Sequence, residues 1–320
     1  MKKPTRVPAT LVEAIRYFSD PDVCLSFLSD LRWPDGVRCP HCGGEKHSFL
    51  STRRIWKCSA CRKQFSVKVG TIFEDSPVPL DKWLAALWMI VNAKNGISSY
   101  EVARSIGVTQ KTAWFMLHRI RLATQTGSFR KMSGEVEADE SFIGGRARNR
   151  GHALRRYASP LKTHNRLAMT AVMGLLERGP KGKSRVRTKV VRNVRRASLA
   201  PEIREHVEPG SVVLTDSLQS YSGLSKDYVH EVINHAESYA RGRVHTNGLE
   251  NFWCLLKRTI RGTYVSVEPF HLFRYLDEQA WRFNMRTLSD GSRFMETLRQ
   301  IVGRRVTYRA LTGAEAGQTA

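Results

Sequence analysis

Glu135-Val136-Glu137-Ala138-Asp139-Glu140-Ser141-Phe142 alternates apolar and polar side chains, and its reading decides the fold. In an extended chain successive side chains point to opposite faces. Val136 and Ala138 therefore share one face, and Glu137, Asp139 and Ser141 the other. A strand is expected here, turned by Gly144-Gly145. Leu167 to Leu176 and Val186 to Val194 read as second and third strands, making an antiparallel run of three. Leu199 to Val207 reads as a short helix, Ser211 to Asp216 as a buried strand ending on a carboxylate, and Tyr228 to Asn234 as a fifth strand. Strands followed by strand-helix-strand alternation give an α/β unit, a mixed five-stranded sheet with helices on its faces. A long helix from about Thr246 then places Glu250, Trp253, Leu256 and Lys257 on one side at i, i+3, i+6 and i+7.

Upstream of the sheet the cysteines set the pattern. Cys39-Pro40-His41-Cys42 and Cys58-Ser59-Ala60-Cys61 form two matched knuckles, the spacing that presents four thiolates tetrahedrally to one Zn²⁺. Four protein ligands leave no open position for water, so the zinc is structural. His41 is a competing ligand, but it sits inside a knuckle and would point away. A redox reading fails, because no thioredoxin-like pattern surrounds the pairs. Cys24 and Cys254 are isolated.

Between ribbon and sheet, Trp83, Leu84, Leu87, Trp88 and Val91 recur at helical spacing from Leu80 to Lys94, and Asn95-Gly96 stops that helix. Ser98 and Glu101 form a capping box for a second helix that Gly107 ends. Thr109 caps a third, from Gln110 to about Leu122, with Ala113, Leu117 and Ile120 buried and Trp114 beside them. This is a helix-turn-helix plan in which Gln110, Lys111 and the outward residues of the third helix face a major groove; an ordinary three-helix bundle is the alternative.

The chain carries 52 Lys+Arg against 29 Asp+Glu over 320 residues, a net charge of +23. Such an excess fits a polyanionic partner, nucleic acid before an anionic membrane. The longest apolar stretch, around Trp83 to Val91, is too short to span a bilayer. Pro4, Arg6, Glu13 and Arg16 stand where a signal peptide needs an apolar core, so the expected location is the cytoplasm. In this basic setting three acids stand on three elements: Asp139, Asp216 and Glu250. Each alone reads as a solvated surface acid. Together they match what hard Mg²⁺ ions require, with basic surroundings for a phosphate backbone.

Arg32-Trp33-Pro34-Asp35-Gly36, Cys39 to Gly43, Trp56-Lys57-Cys58 with Cys61, and Val136 to Gly145 resemble the DDE-type insertion-sequence transposases with an amino-terminal zinc ribbon and an ISXO-like catalytic domain. Thr215-Asp216, His245 to Trp253, Lys257-Arg258, Gly262-Thr263-Tyr264 and Arg282-Phe283-Asn284 continue the resemblance, which covers most of the chain. Ala138 departs from it, standing where relatives carry Val or another larger apolar residue, and this touches nothing catalytic.

The resemblance implies an RNase H-like fold and Asp139, Asp216 and Glu250 as a metal-binding triad. Two Mg²⁺ ions (Mn²⁺ as a possible substitute), roughly 3.5–4 Å apart, would serve phosphoryl transfer, with Asp139 bridging both. Water would cut at the transposon end, and the freed 3′ hydroxyl would attack target DNA. The implied partner is double-stranded DNA, both transposon ends and target, with a homodimer or larger assembly joining two ends in a bacterial, nucleoid-associated setting.

The expected domains are a helical segment over 1–34, a zinc ribbon over 35–75, a helix-turn-helix over 76–124, a linker over 125–133, the RNase H-like domain over 134–290 and a tail over 291–320. Lys257 and Arg258 would hold phosphate, with a solvated helix face as the alternative. The basic run Arg178 to Arg196, including Arg185, Arg187 and Lys189, would contact DNA backbone. His235 and His245 flank the third acid and would orient the scissile phosphate, unless each is structural. The alternative function is a zinc-ribbon and helix-turn-helix regulator with a non-catalytic RNase H-like scaffold, which has no need of all three acids. Nuclease activity without rejoining would use the same triad.

Overall fold

The computed structural model describes residues 7–125, 130–144, 169–180, 182–216, 219–221, 223–233 and 244–312. The chain divides into two units, Met1–Thr124 with Leu288–Ala320, and Gln125–Thr287.

In the second unit the expected sheet forms from β4 (Glu135–Ile143), β5 (Thr170–Glu177), β6 (Arg185–Val191), β7 (Val212–Asp216) and β8 (Val229–Ile233), in the order β6-β5-β4-β7-β8. Strands β4, β5 and β6 pair antiparallel, while β7 lies parallel to both β4 and β8. The alternation in β4 divides two cores. Val136 and Ala138 pack with Met173, Leu175, Leu199 and Ile203 on the face covered by α6 (Arg196–His206). The opposite face packs Val172, Leu176 and Val186 against α7 (Asn247–Thr259) and α8 (Leu272–Asn284) through Leu249, Trp253 and Leu276. Asn284 closes α8 onto β6, accepting from the Val186 amide (2.7 Å) and donating to its carbonyl (2.9 Å).

The first unit begins with α1 (Leu11–Tyr17) and α2 (Pro21–Arg32), followed by an antiparallel three-stranded ribbon, β1 (His47–Leu50), β2 (Ile55–Cys58) and β3 (Gln64–Phe65). Trp56 stacks on Phe65 at 5.7 Å and meets the edge of Trp33 at 5.5 Å, which gives the ribbon a small aromatic core. Helices α3 (Leu80–Asn92), α4 (Ser99–Ile106) and α5 (Gln110–Ala123) follow. The Ser98/Glu101 capping box is present, Gly107 adopts the left-handed conformation that ends α4, and Thr109 caps α5 by accepting from the Thr112 amide.

Two expectations change here. Residues 291–320 are not simply a tail, because α9 (Asp290–Arg299) and α10 (Tyr308–Thr312) form among them. Ser289 caps α9, and Phe294 packs on Trp88 (5.0 Å) and Phe18 (5.8 Å), so this segment completes the core of the first unit. That enclosure also limits α5. From Met116 onward most of the helix is buried, Arg119 and Arg121 included, and Arg304 donates to the Leu122 carbonyl; outward exposure is left to its first turn.

Candidate active site

Strand β4 carries Asp139 at the centre of the sheet, on the α7 face. Its neighbour β7 is in register with it through Glu137↔Leu214, so Asp139 and Asp216, each two residues further on, stand on adjacent strands. Val213 belongs to the α6 core, which puts Leu214 and Asp216 on the same face as Asp139. The first turn of α7 supplies Glu250 over that face. Burial pushes the Asp139 carboxyl up to about 6, against the pull of hydrogen bonds from the Glu140 amide and Trp253, and the negative charges of Asp216 and Glu250 push it the same way. Asp139 therefore feels the charge of both other acids. The oxygens of the three are not drawn fully together, since Cys39/Cys42/Cys58/Cys61 and Glu202/Glu205/His206 are the sets among the described residues whose donor atoms all lie within 4.8 Å.

The Trp253 indole Nε1 donates to Asp139 Oδ2 at 2.9 Å, and the Glu140 amide donates to Asp139 Oδ1 at 2.8 Å, so the carboxylate is held from both sides. Gly174, the cross-strand partner of Asp139, makes room for that indole, because a Cβ there would lie 2.6 Å from Trp253 Cζ2 and 2.9 Å from Leu249 Cδ2. Both side chains are buried in the core, Leu249 fully, so neither has free space to move into. Gly174→Ala should therefore destabilise the second unit by about 1–3 kcal/mol, as overpacking does. Urea denaturation would check it, and an unchanged midpoint would show that Trp253 is free to shift. Glu140 turns to the other face, where the buried Tyr221 hydroxyl donates to it and burial pushes its carboxyl up to about 8.

The four cysteines of the ribbon converge. Cys39 and Cys61 Sγ are 3.7 Å apart, Cys42 and Cys58 Sγ 3.6 Å, and all four lie within 4.8 Å. The knuckles are built alike: Gly43 and Arg62 donate amides to the Cys39 and Cys58 carbonyls, and the amides of Cys39 and Cys58 donate to the Gly44 and Lys63 carbonyls. Amide donors of Cys61 and Ala60 pull the Cys58 thiol down to about 7, toward the thiolate a metal binds. The donor set suits one tetrahedral Zn²⁺.

An ISXO2-like transposase domain model matches residues 131–284, and a transposase zinc-ribbon domain model matches residues 19–64. The chain belongs to the ISXO2-like transposase family. It is 41% identical over 103 residues to an uncharacterized transposase-like protein of Haemophilus influenzae, covering 83% of that protein and 32% of this chain. An uncharacterized protein in transposable element ISH50 of Halobacterium salinarum is 27% identical over 244 residues, 73% of this chain and 81% of the relative. No solved structure matches the chain. These matches make it an insertion-sequence transposase by family, and no helix among the described residues is long and apolar enough to cross a membrane.

The remaining expected site residues fall in varied surroundings. Arg258 is exposed and Lys257 half-buried on α7. Gln110 donates to Ser99 Oγ at 2.9 Å, and the exposed Lys111 lies 5.1 Å over the Tyr308 ring. On β6, Arg185 donates to Glu177 (2.7 Å), Arg187 contacts His206 (2.9 Å) and Lys189 pairs with Glu202 (2.7 Å). This strand therefore has its cations engaged inside the unit, and Arg187 and Lys189 bridge the sheet to α6. His245 lies beside Arg178 and 3.8 Å from Glu137. His235 lies outside the described residues, as does Glu237. Sequence reasoning placed Glu137 on the Asp139 face without giving it work, and missed the roles of Trp253 and Gly174. A glycine inside the apolar run 170–177 was the available signal for a close approach.

Proposed function

We propose that the second unit is an RNase H-like DDE domain that cuts DNA at transposon ends and joins them to target DNA. The observation that carries this reading is the convergence of Asp139, Asp216 and Glu250 on one sheet face, where the charges of the other two act on Asp139. Three antiparallel strands followed by two parallel ones, with the acids on the central strand, its parallel neighbour and a following helix, support the fold assignment. Three carboxylates are a hard-oxygen donor set that fits Mg²⁺, or Mn²⁺ in its place. Two such ions, bound there, would supply activation of the attacking oxygen and stabilisation of the leaving oxygen.

The chain's own residues do the holding. Asp139, fixed by Trp253 and the Glu140 amide, keeps its carboxylate aimed above the sheet, and Arg258 with Lys257 hold backbone phosphate beside Glu250. The first turn of α5, with Gln110 and Lys111, reads the terminal repeat in a helix-turn-helix, and the zinc ribbon adds contacts. Two ends are joined, so the working assembly is a homodimer or larger on double-stranded DNA. Mg²⁺-dependent joining of a labelled end to a plasmid tests the reading. Cleaved ends without joined product would mark a nuclease, and specific binding with neither reaction a regulator.

End binding should weaken steeply with salt, with a slope of about −0.9 in log K per phosphate neutralised. Arg185, Arg187 and Lys189 are already engaged, so the number of contacts should fall well below the +23 charge. Fluorescence anisotropy from low to moderate salt measures the slope, and an affinity flat with salt would assign the excess charge another purpose.

A further inference from the structure

We infer that Glu137 is a positioning residue for the third acid: a buried carboxylate that seats the first turn of α7, and with it Glu250, on the sheet. The inference rests on the triad reading above and extends it to a residue outside the triad. Glu137 is 1% exposed on the same face of β4 as Asp139. Its Oε2 accepts from the Leu249 amide at 2.9 Å, and Leu249 immediately precedes Glu250. The N-cap residue of α7, Thr246, gives no side-chain cap, so an orphan amide of the first turn is satisfied from another strand. The other oxygen, Oε1, accepts from Arg178 Nε at 2.8 Å.

Arg178 locks both ends of this contact. Its Nη1 reaches Glu135 at 3.1 Å, and its Nη2 donates to the His245 carbonyl at 2.6 Å and contacts His245 Nδ1 at 2.7 Å. The residues entering α7 are thus tied to the strand that carries Asp139. Gly248 completes the seat, since a Cβ there would lie 2.8 Å from Glu137 Oε2, 3.0 Å from Oε1 and 3.1 Å from Leu176 Cδ1. The helix approaches this closely only because that position has no side chain. With its oxygens turned to the Leu249 amide and to Arg178, Glu137 acts on Glu250 through the backbone.

Two variants separate this role from its alternatives. Glu137→Gln keeps the shape but cannot accept from both donors, and Gly248→Ala displaces the seat while leaving every acid in place. In the full-length, zinc-loaded protein, Tb³⁺ is titrated and its emission followed through sensitisation by Trp253, which touches Asp139. Both variants should need about 10–100-fold more Tb³⁺ for half-saturation, the range for losing a support behind a metal ligand. Half-maximal joining should need more Mg²⁺ by a similar factor, while the maximal rate at saturating Mg²⁺ stays near the parent's.

Parental Tb³⁺ affinity in variants that keep their near-UV circular dichroism and one zinc per chain would overturn the inference. A loss of joining that no Mg²⁺ concentration restores would also overturn it, making Glu137 part of the reacting site. If Glu137→Gln does not fold, Gly248→Ala carries the same two outcomes. Failure of the triad itself shows separately, as a Glu250→Gln protein that joins ends and binds Tb³⁺ like the parent.

Discussion

Glu250→Gln should abolish end cleavage and strand transfer while leaving specific end binding nearly intact. The substitution keeps the side chain's shape and removes the charge. Metal ions contribute several kcal/mol of charge stabilisation in phosphoryl transfer, and each ~1.4 kcal/mol is tenfold in rate, so the loss should be on the order of 10³-fold or more. Glu250 sits in the first turn of a 13-residue helix anchored by Leu249, Phe252 and Trp253 in the core, which supplies the rigidity a metal ligand needs. Glu237, the other acid near this point in the sequence, should tolerate Gln with both reactions within a small factor of normal. Single-turnover cleavage of a labelled end and joining to a plasmid measure both variants. A Glu250→Gln protein that joins ends at near-parental rate would remove this residue from the triad.

The sheet was legible because its periodicity is clean. Val136 and Ala138 against Glu137 and Asp139 gave the two faces of β4, which the two cores reproduce. The local signals of α4 were equally explicit, with capping box and terminal glycine both in place. Residues 291–320 read as a tail so long as no element is assigned to them, but the pattern there, Ser289 as cap and then Phe294, Met295 and Leu298 at helical spacing, argues for a packed helix. The charge of β6 shows its partners only in the fold. Strand alternation places Arg187 and Lys189 on the α6 face, but which acids α6 presents there depends on how the helix crosses the sheet, and Glu202 and His206 become visible as partners only in three dimensions. The same holds for Trp253: helical spacing put it beside Glu250, whereas its hydrogen bond to Asp139 needed the gap that Gly174 opens one strand away.

Removing zinc should unfold the ribbon. Its strands are two to four residues long, and its core is little more than Trp33, Trp56 and Phe65. So few buried side chains leave little to set against the entropy of ordering the loops between them. A structural zinc site with four thiolate ligands contributes about 10–16 kcal/mol of apparent binding energy near neutral pH, as much as the whole stability of an ordinary domain. Both knuckles depend on it, since their amide bonds organise turns around sulfurs that would repel one another as thiolates without the ion. Cys58→Ser, or the parent treated with a strong chelator, should lose one zinc per chain by metal analysis, together with the near-UV signal of Trp56 stacked on Phe65. The five-stranded sheet has its own two cores in a separate unit, so its amide protection should persist. End binding should fall with the ribbon even though Asp139, Asp216 and Glu250 are untouched. A purified protein without near-stoichiometric zinc, or a Cys58→Ser variant that keeps full zinc occupancy, would show that these four cysteines hold the ribbon together by some other means.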